Sequence, residues 1–249
     1  MMKESIFSVK DKIILITGGS NGNGAEITKG FLEEGSIVIV LDKKEIKSKK
    51  YFSNPNFHFY KVDISNRKIL KSIISKIISK FKTIDVLINN AGISLKSNKN
   101  NYLEVWRKTL EVNLHSPFFL ISLVQNNMKP GSSIINITSL GAYQGFKENP
   151  SYTASKSGLS SLTKSLAFDL SNKGIRVNNI VPGYIKTNMT KKSFISKIEN
   201  KKRKERMILK RWGESKDLVG PCIFLASSAS SYMTGSDIIV DGGWLSKGI

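Results

Sequence analysis

Apolar residues along this chain follow two rhythms. Short runs rich in β-branched residues, at 12–17, 36–41, 57–62, 84–88, 133–137, 176–181 and 237–240, read as strands. Between them apolar positions recur at helical spacing. Ala25, Ile27, Phe31 and Leu32 mark a helix over 22–34 that Gly35 ends, and similar patterns lie near 66–81, 101–128, 152–172 and 214–226. Strands alternating with helices predict right-handed βαβ crossovers and a parallel sheet covered on both faces. The expected architecture is one α/β doubly wound domain over 1–249, with about seven strands. No Pro- or Ser-rich linker, internal repeat or low-complexity block divides it. The stretch 42–56 is short for a helix, which predicts an abbreviated crossover there.

Composition narrows the function classes. No run of 18 apolar residues is present, so no spanning helix is expected, and the first residues lack an apolar signal core. Cys222 is the only cysteine and His58 and His115 stand apart, so neither a disulfide framework nor a metal site is expected. These features point to the cytoplasm. A net charge of +20 can mark a nucleic-acid partner, but Lys, Asn and Ile are enriched throughout, as AT-rich coding would produce. With no zinc-finger spacing and no aromatic-rich RNA-binding signature, solvated surface lysines are the default and no nucleic-acid or membrane partner is expected.

The turn Gly18-Gly19-Ser20-Asn21-Gly22-Asn23-Gly24 joins the first strand to the first helix. Glycines there allow a tight turn and let backbone N–H groups approach a pyrophosphate at the helix N-terminus. Asp42 ends the second strand, where a carboxylate can accept from ribose hydroxyls and repel a 2′-phosphate. That favours NAD over NADP, although Lys43 and Lys44 offset the repulsion. Tyr152 and Lys156, four residues apart, share a helix face. An ammonium near a phenol lowers its pKa toward the range useful for proton transfer.

The chain resembles the short-chain dehydrogenase/reductase family, of Rossmann type, along nearly its whole length. The resemblance rests on the glycine turn, on Asp63-Ile64, on Asn89-Asn90-Ala91-Gly92, on Pro182-Gly183 with Ile185 and Thr187, and on Tyr152 with Lys156. It implies that Gly18, Ser20, Asn21, Gly22, Asn23, Gly24, Asp42, Asp63, Ile64, Asn90, Ala91, Gly92, Tyr152, Lys156, Pro182, Gly183, Ile185 and Thr187 bind a nicotinamide cofactor. It also implies a tetrad of Asn113, Ser139, Tyr152 and Lys156 and a homotetramer. Thr138 is the alternative hydroxyl to Ser139. Asn23 departs from the family, which usually has an apolar residue there.

Local wording such as Tyr143-Gln144-Gly145 and Arg211-Trp212-Gly213 is similar to that of sugar-acid dehydrogenases, namely the 2-deoxygluconate, 2-keto-3-deoxygluconate and gluconate 5-dehydrogenases. The resemblance therefore implies a small-molecule substrate held by Ser139, Gln144, Tyr152 and Tyr184, and a substrate lid at about 188–212. Residues 191–211 hold ten Lys or Arg against Glu199 and Glu205, which either attracts a carboxylate or is a solvated basic helix. Glu148 stands where a basic residue is expected, and would oppose an anion if it faced the cleft. A 3-oxoacyl-(acyl-carrier-protein) reductase is the alternative enzyme, against which Asp42 argues. A catalytically silent nucleotide-sensing or nucleic-acid-binding protein is the non-enzyme alternative, against which the intact tetrad argues.

Overall fold

The computed structural model describes residues 5–45, 53–98 and 100–247. Seven strands form one parallel sheet in the order β3-β2-β1-β4-β5-β6-β7. They are β1 (Ile13–Thr17), β2 (Ile37–Asp42), β3 (Phe57–Lys61), β4 (Val86–Asn89), β5 (Ser133–Ile137), β6 (Arg176–Pro182) and β7 (Asp237–Val240). Strand order reverses between β1 and β4, and a crevice opens there beyond the strands' C-terminal ends. Residues 46–52 of the crossover expected at 42–56 lie outside the described residues.

Alternate strand residues point to opposite faces, and each face has its own apolar core. Leu15, Ile39, Leu87, Ile134 and Val177 pack beneath α2 (Arg67–Phe81), α4 (Ser116–Val124) and α5 (Pro150–Asp169). Ile14, Ile16, Val38, Val40, Val86, Ile88 and Ile135 pack beneath α1 (Gly22–Glu33) and α8 (Val219–Ala226). This two-sided burial is why the strands read as unbroken apolar runs rather than alternating ones.

Helix positions follow the periodicity with one break. The continuous helix expected over 101–128 is instead α3 (Tyr102–Leu110), a π-helical turn Glu111–His115, and then α4. Pro117 lacks an N–H, so the Asn113 carbonyl loses its α-helical donor, and the wider turn absorbs the defect. The charged segment after β6 forms two short helices, α6 (Lys191–Ile195) and α7 (Lys197–Arg206). Among the described residues no helix is long and apolar enough to cross a membrane.

Candidate active site

The crevice at the strand reversal, about 360 Å³, is lined by Gly18, Asn21, Gly22, Asn23, Gly24, Asp42, Asp63, Ile64, Asn90, Ala91, Gly92 and Thr187. Its walls meet so closely that side chains are excluded. A Cβ on Gly24 would lie 2.1 Å from the Gly18 carbonyl oxygen, and Gly18 itself has φ +66°. Asn90 fastens the turn: its Nδ2 donates to the Thr17 and Gly18 carbonyls at 3.0 Å each. The Thr17 hydroxyl in return accepts from the Asn90 and Ala91 amides. Asn21 precedes α1 without a side-chain cap, which leaves that helix's first N–H groups for an anion. The glycine cradle and these amides fit a dinucleotide pyrophosphate.

Asp42 stands at the far end of this crevice. Its carboxylate accepts from the backbone amides of Ser20 at 3.1 Å and Lys44 at 3.0 Å, and Lys43 and Lys44 join it in the lining. Ser20 contributes this backbone contact rather than wall surface, and its hydroxyl is buried without a partner. Asn23 is held by Ser215, whose hydroxyl donates to Asn23 Oδ1 at 2.9 Å. That contact accommodates its polar side chain.

A second cleft of about 230 Å³ adjoins the first, sharing Asn23, Asn90, Gly92, Thr187 and Met189. Ser139, Tyr152, Lys156, Pro182, Gly183, Tyr184 and Ile185 line it. Ser139 leaves β5 and caps a 3₁₀ turn, Leu140–Ala142, its oxygen accepting from the Gly141 amide at 3.1 Å. Thr138, the alternative hydroxyl, donates instead to the Ile180 carbonyl at 3.0 Å. Pro150 starts α5, where its missing N–H is harmless, and so brings Tyr152 and Lys156 into the first two turns.

Charge and burial compete here. The Lys156 ammonium is buried, donates to the Ile137 carbonyl at 2.7 Å and lies 6.0 Å from the Tyr152 ring centre. Desolvation holds it down to about 8. Burial pushes the Tyr152 phenol up, and the hydrogen bond with Ser139 opposes that rise. The lowering expected from Lys156 is therefore not what dominates, because the ammonium points to Ile137. Asn113, in the π turn, clamps the Ile93 backbone at 2.9 Å through Nδ2 and 2.8 Å through Oδ1, and also donates to Ser155 at 3.1 Å. It thereby ties the loop after β4 to α5.

A serine hydroxyl, a half-buried phenol and a buried ammonium beside a dinucleotide crevice can move a proton to or from a substrate oxygen. The comparisons agree with that chemistry. A family profile described as "Enoyl-(Acyl carrier protein) reductase" matches residues 18–245. The chain belongs to the short-chain dehydrogenase/reductase family. It is 35% identical over 248 residues to a 2-dehydro-3-deoxy-D-gluconate 5-dehydrogenase of Dickeya dadantii, covering 97% of this chain and 98% of that one. A 3-oxoacyl-[acyl-carrier-protein] reductase of Chlamydia pneumoniae is 34% identical, covering 93% and 96%. A gluconate 5-dehydrogenase from Burkholderia cenocepacia, solved with NADP and tartrate, superposes with a TM-score of 0.90 at 27% identity, covering 97% and 98%.

The substrate side of this dehydrogenase departs from the sequence reading in two respects. Gln144 does not line the cleft; its carbonyl accepts from Trp244 Nε1 at 3.1 Å, which braces the C-terminal segment. The charged segment, read from the sequence as either a carboxylate-attracting lid or a solvated basic helix, is anchored to the domain by apolar residues. Met207 and Trp212 are buried, Trp212 Nε1 donates to Asn200 at 3.1 Å, and Tyr184 packs edge-on against Trp212 and Trp244. Ser94, Phe146, Thr190 and Ser193 also line the cleft. Thr190 and Ser193 fall in the lid expected at about 188–212, and Phe146 in the loop before α5, whereas Ser94, two residues past the Asn89–Gly92 turn, is the position sequence reasoning missed.

Proposed function

We propose that this enzyme interconverts a secondary alcohol and a ketone on a sugar acid of the gluconate type, using NAD(H). The observation that carries the reading is the convergence of Ser139, Tyr152 and Lys156 on a cleft that opens into the glycine-walled crevice. In this reading Ser139 turns its single proton from Tyr152 to the substrate oxygen, while its own oxygen goes on accepting from Gly141. Tyr152 gives that oxygen a proton or takes one from it. The charge on Lys156 stabilises the phenolate form, and Asn113 positions the Ile93 loop against α5. A bound nicotinamide would supply the hydride acceptor or donor, held by the crevice residues from Gly18 to Thr187.

NAD is proposed from the Asp42 carboxylate, with Lys43 and Lys44 as its counterweight and NADP as the competing cofactor. The sugar-acid assignment is supported by the names of the relatives, by the cleft hydroxyls of Ser94, Thr190 and Ser193, and by the cationic lid segment beside them. A homotetramer is proposed as well. Leu103 and Phe118 on α3 and α4, Phe168 on α5 and Ile239 on β7 are large apolar side chains left exposed. A cytoplasmic setting accords with the single buried cysteine.

A substrate panel with both cofactors tests the function. It spans 2-keto-3-deoxygluconate, gluconate, 2-deoxygluconate, neutral polyols, an acetoacetyl thioester and a steroid. The highest kcat/KM is expected for a sugar acid with NAD(H). Faster reduction of the acetoacetyl thioester with NADPH would replace this reading with the acyl reductase.

A further inference from the structure

A parallel sheet is ordinarily apolar through its middle, yet one row across this sheet is polar. Asn89, Asn136, Asn179 and Asp237 are register partners on β4, β5, β6 and β7. Asn89, Asn136 and Asn179 are buried, as is Thr163 of α5, which joins the row from above. Asn89 Nδ2 donates to Asn136 Oδ1 at 2.8 Å, and Asn136 Nδ2 to Thr163 Oγ1 at 2.8 Å. Thr163 Oγ1 donates to Asn179 Oδ1 at 2.6 Å, and Asn179 Nδ2 to Asp237 Oδ1 at 2.6 Å. The other Asp237 oxygen accepts from the Tyr143 hydroxyl.

One residue sets the direction of all these bonds. An ionised carboxylate only accepts, so Asn179 must turn its amide nitrogen to Asp237 and its oxygen to Thr163. Thr163 must then donate to Asn179 and accept from Asn136, which leaves the Asn136 oxygen for Asn89. The chain of orientation ends at Asn89 Oδ1, which is buried with no partner. Among the described residues no lysine or arginine pairs with Asp237, so its charge rests on hydrogen bonds alone.

The row lies close in the chain to each part of the machinery without lining its clefts. Asn89 precedes Asn90 of the glycine-turn clamp, and Asn136 lies three residues before Ser139. Thr163 lies two helical turns beyond Lys156 on α5. Tyr143 closes the 3₁₀ turn that Ser139 caps, its amide donating to the Leu140 carbonyl at 2.9 Å. We infer that Thr163 and Asp237 are positioning residues: their directed hydrogen bonds hold α5 in register with the strand that carries Ser139. The inference rests on the dehydrogenase reading of the site but not on which sugar acid is turned over.

Two pairs of variants test it, assayed on the substrate that the panel returns, with NADH binding followed by fluorescence. Thr163→Val keeps the shape and removes the hydroxyl, while Thr163→Ser keeps the hydroxyl. Asp237→Ala removes the acceptor at a partly exposed position, and Asp237→Asn retains an acceptor for Asn179. Val and Ala are expected to lower kcat on the order of 10- to 100-fold, the scale of a small misplacement of reacting groups, with NADH affinity unchanged. Ser and Asn are expected to recover most of it. An ultraviolet difference titration of Tyr152, wild type against Tyr152→Phe, needs no substrate and should shift in the Val and Ala backgrounds. Folded Val or Ala protein with wild-type kcat and an unshifted titration would overturn the inference. So would equal losses in the conservative and disruptive member of each pair.

Discussion

Lys96 Nζ lies 2.9 Å from Glu148 Oε2, an exposed ion pair between the loop after β4 and the loop before α5. Neither residue lines the cleft around Ser139 and Tyr152. The negative charge at position 148 is therefore answered by Lys96 and does not face a bound anion. Two further contacts join the same loops. Asn149 Nδ2 donates to Ser94 Oγ at 2.6 Å, and the Ser97 amide reaches the Glu148 carbonyl at 3.5 Å.

Glu148→Gln is accordingly expected to change KM for an anionic sugar acid by less than about threefold, because exposed pairs are worth about 0–1 kcal/mol. Steady-state kinetics on gluconate or 2-keto-3-deoxygluconate check this. A tenfold fall in KM would mean that Glu148 faces the substrate after all.

Tyr152→Phe removes only a hydroxyl from a half-buried ring that lines the cleft. Fold and NADH binding should persist while kcat falls roughly 10²–10⁴-fold, the usual scale for losing a general acid or base. Near wild-type turnover in this variant would transfer the proton role to another group.

Asp42→Ala takes away both a ribose acceptor and a charge that repels a 2′-phosphate. NAD affinity should weaken by about 10- to 100-fold, the worth of a charged hydrogen bond, while use of NADP improves relative to NAD. Comparison of kcat/KM for the two cofactors decides it. A strong NADPH preference in the unaltered enzyme would show that Lys43 and Lys44 outweigh Asp42.

Stability should depend on pH through Lys156. Its folded value is about 8 against an ordinary 10.5, so above pH 8 the unfolded chain binds more protons than the folded one. Unfolding free energy therefore rises with pH in that window and is flat below it, by about 1 kcal/mol from pH 8 to 9. Burial raises the Cys222 thiol from its ordinary 9.0, so ionisation of that thiol in the unfolded chain offsets roughly a third of the Lys156 rise by pH 9 and turns the curve down at higher pH. Denaturant unfolding at pH 7, 8 and 9 measures it, and Lys156→Met should abolish it.

Lys201, Lys202 and Lys204 on α7 are the charges to remove from the lid, since Arg203 pairs with Glu199 and lies over the Tyr184 ring. Changing all three to Gln should raise KM for a sugar acid and spare a neutral polyol. The effect should fade as salt shortens the Debye length from ~10 Å at 0.1 M to ~3 Å at 1 M. Equal changes for acid and polyol would show closure without charge selection.

Local features of this protein were legible in the sequence by itself. The seven strands lie within two residues of their expected positions, because a strand buried on both faces leaves an unbroken apolar run. The glycine turn, Asp42 and the Tyr152–Lys156 pair were legible because each is short-range chemistry set at a strand end or on one helix face. Tertiary structure decided what depends on residues far apart in the chain. It gave Glu148 to Lys96, turned Gln144 to Trp244 and sent the Lys156 ammonium to the Ile137 carbonyl. It also opened the π turn at Asn113 and buried Trp212 beneath the charged segment. Periodicity reports which face of an element is apolar, but the partner across a loop or sheet follows from strand order and register. The row from Asn89 to Asp237 is the clearest case: each member is an ordinary polar residue in its own strand, and only pairing the four strands reveals one hydrogen-bonded line.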